Sequence, residues 1–351
     1  MKIPEYVNKY DPQNQFDVLK NSYKQIESAW NNKIDLSPFK NLVNKGIHSI
    51  VLTGLGGSAI SGDLMQNFLH KDLKIPLIVN RGYSLPKFAD GNSLLIISSY
   101  SGNTEETVSV FQSALEKPEL RENIVCISTG GKIGKKASEN NIPLVKIQPG
   151  FQPRYALGLS FFSLLKILQA LKLIENHDSV VGKLNKLWKK RGEELSVENN
   201  HAADIAKKII GSVPIIYSAA DITSAAGYRF KCQLNENSKM HSFHNTLPEM
   251  NHNEIIGWET FAEKQLQALV INIIDPAYHP QVLRRFKIIS ELAGTKKTEI
   301  IDIESSEPDF KQRLLDIVYL CDWISYYSAV FRGVDPSEID FIHILKERLA
   351  N

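Results

Sequence analysis

The chain has 351 residues, long for one hydrophobic core and enough for two α/β domains. Hydrophobic residues make up 43% and charged residues 23%, an ordinary globular balance, and 41 basic against 39 acidic side chains leave no basic excess of the kind a nucleic-acid binder carries. Cys126, Cys232 and Cys321 lie far apart and form no CxxC pair, which excludes a disulfide framework and suits a reducing cytoplasm.

The opening residues Met1-Lys-Ile-Pro-Glu-Tyr lack the apolar run of a signal peptide, and no uninterrupted apolar stretch approaches the roughly 20 residues of a membrane helix. The expectation is a cytoplasmic protein with no membrane partner. An amphipathic helix is expected over residues 13–31. Short apolar strands then alternate with helical patterns. The strands are Ser49–Leu55, Ile75–Asn80, Leu94–Ser99, Asn123–Ser128 and Pro143–Ile147, and the helices 58–70, 104–116 and 132–140. Strands this rich in Ile, Val and Leu belong in a parallel sheet covered on both faces, and the alternation predicts a doubly wound unit. Tyr155 to Leu173, interrupted by Ser160, Ser163, Lys166 and Gln169, is the longest apolar helix candidate and reads as a core helix between domains. The charged stretch Glu175 to Asn200 reads as solvated helix faces leading into a second unit.

The second half repeats the rhythm, with strands at Val213–Ser218, Lys239–His244, Ala268–Ile274 and Thr298–Ile303 and helices at 222–236, 279–293 and 308–331. A last helix is expected from Ile339 to Leu349. Ile50-Val-Leu-Thr-Gly-Leu-Gly-Gly-Ser parallels Ile215-Ile-Tyr-Ser-Ala-Ala-Asp-Ile-Thr as strand, small-residue turn and helix. Leu94-Leu-Ile-Ile-Ser-Ser parallels Leu269-Val-Ile-Asn-Ile-Ile. Only the first copy keeps glycines and hydroxyls at its strand ends. The division expected is 1–175 and 176–351.

Ser99-Tyr-Ser-Gly-Asn-Thr-Glu-Glu-Thr follows a buried strand and opens a helix. Ser99, Ser101 and Thr104 therefore stand at the carboxyl end of a parallel strand, where α/β sheets bind ligands and a helix N-terminus favours phosphate. Gly56-Gly57-Ser58 makes a second such turn. The plainer reading is helix capping by Asn103 or Thr104, with Glu105 and Glu106 in the first turn. No GxxxxGK[ST] pattern is present, and Gly54-Leu-Gly-Gly-Ser-Ala lacks the GxGxxG spacing, so nucleotide binding is a weak alternative. The Ser-Tyr-Ser-Gly-Asn-Thr run resembles the phosphosugar loop of SIS (sugar isomerase) domains.

A second dense segment gathers Glu236, His241, His244, Glu249, His252 and Glu254 within residues 231–254, a concentration of groups suited to proton transfer. Three histidines could bind a metal, but no HExxH or CxxC accompanies them, and no metal site is assigned. Together the motifs resemble the bifunctional phosphoglucose/phosphomannose isomerase family. They are Gly56-Gly57-Ser58, Ser99-Tyr-Ser-Gly-Asn-Thr, Gln152-Pro-Arg-Tyr-Ala-Leu-Gly, Leu234-Asn-Glu-Asn-Ser-Lys, Pro248-Glu-Met-Asn-His-Asn-Glu and Arg332-Gly-Val-Asp-Pro, in order over most of the chain.

The resemblance implies two SIS-type doubly wound α/β domains, each a mainly parallel five-stranded sheet flanked by helices. It implies isomerisation of glucose 6-phosphate, and of mannose 6-phosphate, to fructose 6-phosphate without a cofactor. Glu236 would be the base between C2 and C1. His252 would open the sugar ring, reaching the site from the other subunit of a homodimer. Arg154 would face the enediolate charge, and Lys346 would close the site. Gly57, Ser58, Ser99, Ser101 and Thr104 would hold the phosphate. Ser337 stands where the family often has threonine, in a region that bears on epimer tolerance; Glu249 and Glu254 read as structural. Isomerisation needs a base, a ring-opening acid and a cation near the enediolate, which these residues supply. The alternatives are a non-catalytic SIS regulator that senses a phosphosugar, and a phosphosugar lyase or deaminase on the same fold.

Overall fold

A computed structural model describes residues 1–35, 37–263, 267–295 and 298–350. From the N-terminus run α1 (Ile3–Tyr10), α2 (Gln15–Lys20), α3 (Tyr23–Asn31) and α4 (Lys40–Lys45). The first sheet and its helices come next. They are β1 (Ser49–Thr53), α5 (Gly56–Phe68), β2 (Leu77–Asn80), β3 (Ser93–Ser98), α6 (Glu105–Leu115), α7 (Pro118–Arg121), β4 (Ile124–Ser128), α8 (Gly131–Glu139), β5 (Leu144–Lys146) and α9 (Leu157–Ala170). After them stand α10 (Asp178–Leu195), α11 (His201–Ile209), β6 (Val213–Ala219), α12 (Ser224–Ser238) and β7 (Phe243–Leu247). The chain ends with β8 (Ala268–Ile273), α13 (Pro280–Thr295), β9 (Glu299–Ile303), α14 (Phe310–Phe331) and α15 (Asp340–Ala350). Two compact units result, Ser22–Lys186 and Met1–Asn21 with Leu187–Asn351.

In the first unit the strands are ordered β2-β1-β3-β4-β5, all parallel. Every residue of β1, β3 and β4 is buried, as expected of strands covered on both faces. Val51, Leu95, Ile97 and Cys126 pack on Phe111 and Ala114 of α6 and on Ile133 and Ala137 of α8. Side chains alternate along a strand, so Ile50, Leu52 and Ile96 face the opposite layer. The apolar helix read at Tyr155–Leu173 is α9. It packs on α3 and α5 within this unit, with Phe161 edge-on to Phe68 at 5.2 Å.

The second unit has the order β7-β6-β8-β9, again all parallel. Its sheet has four strands among the described residues, where five were expected. The first unit returns through α8 to β5, but after β9 the chain enters α14, whose residues are nearly all buried. Among the described residues α14, not α9, is the longest apolar helix and the one long and apolar enough to cross a membrane by length and composition, yet it lies buried inside its unit as a core helix. Its charges are met there. Arg313 pairs with Asp275 at 2.8 and 3.1 Å, Asp316 with Arg191 at 2.8 Å, and Asp322 with Arg229 at 2.8 and 3.0 Å.

The helix expected over 13–31 is two helices, broken at Asn21 and Ser22, where the chain passes from one unit to the other. The first 21 residues lie along α14: Phe16 stands edge-on to Trp323 at 5.3 Å, Tyr6 to Phe331 at 5.0 Å, and Tyr326 OH donates to Asp11 Oδ2 at 2.9 Å. Asp11 also accepts the N–H groups of Gln15 and Phe16, both at 2.8 Å, and so starts α2. At the other end of the first unit the division falls inside α10, between Lys186 and Leu187, and not at 175/176. The strand expected at Lys239–His244 is β7, shifted to Phe243–Leu247, because α12 runs on to Ser238 and Lys239 turns the chain at φ 52°.

Candidate active site

In the first unit the chain leaves β1 for β2 on one side and then crosses to β3 on the other. Ligands of open α/β sheets bind outside the carboxyl ends of strands that flank such a reversal. Both predicted turns stand there, one after β1 and one after β3. Ser58 Oγ, in the first turn of α5, accepts the Tyr100 N–H at 3.2 Å and joins them.

Thr104 holds the N-cap position of α6, but its hydroxyl caps nothing; it meets Ser99 Oγ at 2.8 Å. The rival reading, a helix cap, has its placement borne out, with Thr104 at the N-cap and Glu105 and Glu106 in the first turn, but the Thr104 side chain makes no capping hydrogen bond. The first N–H groups of α6 receive no hydrogen bond from the Thr104 side chain, which leaves them free to meet an anion. Ser99 Oγ also accepts the Gly102 N–H at 3.1 Å, and Ser101 Oγ the Asn103 N–H at 3.2 Å. Gly102, at φ +69°, lies against the Gly130 carbonyl so closely that no Cβ fits.

A third turn, after β4, belongs to the same edge. Thr129 donates to Tyr100 O through both N–H and hydroxyl, at 3.0 and 2.8 Å, and the Lys132 N–H reaches Asn103 Oδ1 at 3.0 Å. Sequence reasoning passed over it, although Ser128-Thr-Gly-Gly after a buried strand carries the same signal. Tyr100, within the Ser-Tyr-Ser-Gly-Asn-Thr motif, has a task of its own. Its phenol donates to Gln148 O at 3.1 Å and accepts the Phe151 N–H at 2.9 Å, fastening the loop that leads to Arg154.

Arg154 is buried, in the 3-10 turn Pro153–Tyr155 ahead of α9. A Cβ on Gly57 would stand 2.7 Å from Pro153 O and 3.5 Å from the Arg154 N, so glycine is what lets this turn approach α5. The structure therefore gathers Gly57, Ser58, Ser99, Ser101 and Thr104 at one sheet edge and brings the backbone of Arg154 against Gly57.

The equivalent turns of the second unit are chemically different. Asp275, just past β8, is buried and filled by the Arg313 guanidinium, and Thr223 after β6 accepts the Ala219 N–H at 3.0 Å. A carboxylate stands where the first unit offers hydroxyls. What this unit carries instead is the segment 231–254, whose residues were read as suited to proton transfer.

Glu236 is half-buried in the last turn of α12. That helix is pinned to α14 by the Arg229–Asp322 pair, by Gln233 Nε2 on Asp322 at 2.9 Å, and by Asn237 and Ser238 on Ser325 at 3.0 and 2.7 Å. His252 is exposed at the end of the 3-10 turn Glu249–His252. Glu254, two residues on, ties the chain back to the sheet, accepting from Tyr217 OH at 2.7 Å and Asn245 Nδ2 at 2.6 Å, which fits its structural reading. Glu249 accepts from Asn253 at 3.2 Å. Lys346 is exposed on α15, and Ser337 is buried in the segment before that helix. His241 is exposed, and among the described residues no three His, Cys, Asp or Glu side chains are gathered as a metal ligand set.

His244 has a different character. Its Nε2 lies 2.8 Å from Ser218 Oγ, and it stands over Gly227, whose Cβ would sit 2.5 Å from that nitrogen. Burial, with the Lys231 charge adding to it, lowers its pKa to about 4. An unfolded histidine takes up its proton near pH 6.5, while the native one stays neutral until about pH 4. Acid therefore favours the unfolded chain across that window, by up to about 3 kcal/mol at its lower end. Urea unfolding from pH 7 to 4.5 should show wild type losing stability faster than His244→Gln. Parallel curves would refute this placement.

Residues 198–349 match the family model for the bacterial phospho-glucose isomerase C-terminal SIS domain. The bifunctional phosphoglucose/phosphomannose isomerase of Caldicellulosiruptor bescii is 36% identical over 95% of this chain and 98% of its own. The D-glucosamine-6-phosphate 4-epimerase of Sulfolobus acidocaldarius is 31% identical, covering 88% of this chain and 91% of its own. Among solved structures, the C-terminal domain of glucosamine-fructose-6-phosphate aminotransferase from Francisella tularensis matches with a TM-score of 0.65 at 14% identity. It covers 92% of this chain and 96% of that one, a likeness of fold.

Proposed function

This chain belongs to the bifunctional phosphoglucose/phosphomannose isomerase family, and on that footing we propose that it interconverts glucose 6-phosphate, mannose 6-phosphate and fructose 6-phosphate through a cis-enediolate. The observation that carries this reading is the match to a relative of that name along 95% of the chain. The uncapped, hydroxyl-lined turn at β3 supports the phosphosugar class.

The roles are those the family's motifs imply, and the chemistry of isomerisation is consistent with them. Gly57, Ser58, Ser99, Ser101 and Thr104 hold the phosphate through backbone N–H groups and hydroxyls. His252 moves a proton at the ring oxygen to open the sugar. Glu236 takes the proton from C2 of the open aldose, which leaves a single negative charge on O1 of the enediolate; the hydroxyl proton of O2 passes to O1, and Glu236 then returns its proton to C1 as the C2=O bond forms. The Arg154 guanidinium offsets that charge, and Lys346 closes over the substrate. Ser337 lies in the segment that governs whether both C2 epimers are accepted. No cofactor takes part.

We place the enzyme in the cytoplasm as a homodimer in which His252 serves the partner's site. Support comes from the exposure of His252 and from α15, where Phe341, Leu345 and Leu349 are 89%, 57% and 65% exposed at a four-residue spacing that puts them on one face.

Initial rates of fructose 6-phosphate formation, measured in EDTA, should be appreciable from both glucose 6-phosphate and mannose 6-phosphate, and the same preparation should sediment as a dimer. The 31% identity to a 4-epimerase makes glucosamine 6-phosphate the necessary control. Turnover of that compound, with neither hexose phosphate converted, would replace the isomerase reading by an epimerase one. A fully active monomer would remove His252 from the shared role.

A further inference from the structure

Lys239 ends α12 at φ 52° and ψ 38°, the left-handed region where glycine or asparagine usually stands because a Cβ is disfavoured. The Met240 N–H returns to Leu234 O at 3.2 Å, closing the turn that glycine would serve best. The side chain accounts for lysine. Its ammonium folds back on its own helix, donating to Glu236 O at 3.1 Å and Asn237 O at 3.3 Å, and reaches outward to Asp335 O at 2.6 Å. Glu338 Oε2 lies 3.8 Å from it. Arg332 donates to the next carbonyl along, that of Ser238.

Two cations thus hold three consecutive carbonyls at the negative end of the helix, on the turn that carries Glu236. Both are tied to the chain beyond α14, where the Ser337 N–H bonds Asp335 Oδ1 at 2.7 Å. Ser337 itself is buried, and its hydroxyl has no hydrogen-bond partner among the described residues. A simple helix stop would need none of this. Lys239 instead bolts the backbone of Glu236 to the segment of Ser337.

We propose that Lys239 is a positioning residue for the isomerisation, holding the Glu236 turn and the Asp335–Glu338 segment as one piece. It so sets the reach of the base and, through Ser337, the relative rates on the two epimers. This rests on the roles proposed above for Glu236 and Ser337.

The test compares Lys239→Gly, Lys239→Met and Lys239→Arg for kcat and KM on both hexose phosphates, with thermal unfolding alongside. Lys239→Gly relieves the left-handed turn and removes only the ammonium and its stem. It should stay folded, lose roughly 10- to 100-fold in kcat with KM within about threefold, and change the ratio of kcat/KM between the epimers. Lys239→Met should lose as much, and Lys239→Arg should recover part of it. Wild-type kcat and an unchanged epimer ratio in Lys239→Gly would overturn the proposal. So would a Lys239→Gly protein that fails to fold, since the residue would then serve the fold and not the site. Wild type and Glu236→Gln run in parallel: inactive wild type refutes the isomerase reading itself, whatever the Lys239 variants do.

Discussion

Glu236→Gln should lower kcat by about 10²- to 10⁴-fold on both substrates, the usual loss when a general base is removed, with KM and the unfolding midpoint near wild type. Glutamine keeps the length and hydrogen-bonding reach of the side chain but cannot accept the C2 proton. The fold should tolerate it. Glu236 is half-buried, and α12 is held to α14 by its neighbours Arg229, Gln233, Asn237 and Ser238. Steady-state kinetics with a thermal melt separate the two outcomes. A kcat within about tenfold of wild type would mean that another group moves the proton.

Arg154→Met carries the second large effect, a loss of about 10²- to 10³-fold in kcat, the scale seen when one stabiliser of a developing oxyanion is deleted. A buried guanidinium is expensive to desolvate, and the chain invests in placing this one. Gly57 leaves room for its turn, and Tyr100 fastens the loop before it to the turn after β3. Arg154→Lys should restore little, because a point charge on a flexible stem does not reproduce a planar fork. If Arg154→Met changed only the unfolding midpoint and left kcat intact, the residue would belong to the core.

The strands of the first unit were legible because each is a short apolar run, with β1, β3 and β4 buried along their whole length, and Gly, Ser and Thr at the ends of those three mark the turns. The second sheet was harder. β7 is an edge strand whose residues Phe243-His-Asn-Thr-Leu mix polar and apolar, so the reading slid toward Lys239, a residue that in fact stops a helix. The residue pattern itself marks four strands and a helix over 308–331 there, as observed among the described residues, and only the family resemblance implied a fifth; what the pattern hid was the depth of α14, because the partners of its charged residues, Asp275, Arg191 and Arg229, lie far away in sequence. The packing of Met1–Asn21 on α14 is likewise a long-range fact that no local pattern encodes. At the site, residue types were readable but connections were not. Ser99 with Thr104 lies within one motif. Ser58 with Tyr100, and Lys239 with Asp335, join segments that only the folded chain brings side by side.

The most direct test of the isomerase assignment is to incubate wild-type protein with glucose 6-phosphate in D₂O and track the products by proton NMR. An enediolate formed by a carboxylate base predicts that fructose 6-phosphate and then mannose 6-phosphate accumulate, with solvent deuterium at C1 of the ketose and C2 of the aldoses in part of the molecules. Formation of no ketose, or of a ketose and epimer that retain every original hydrogen, would contradict it.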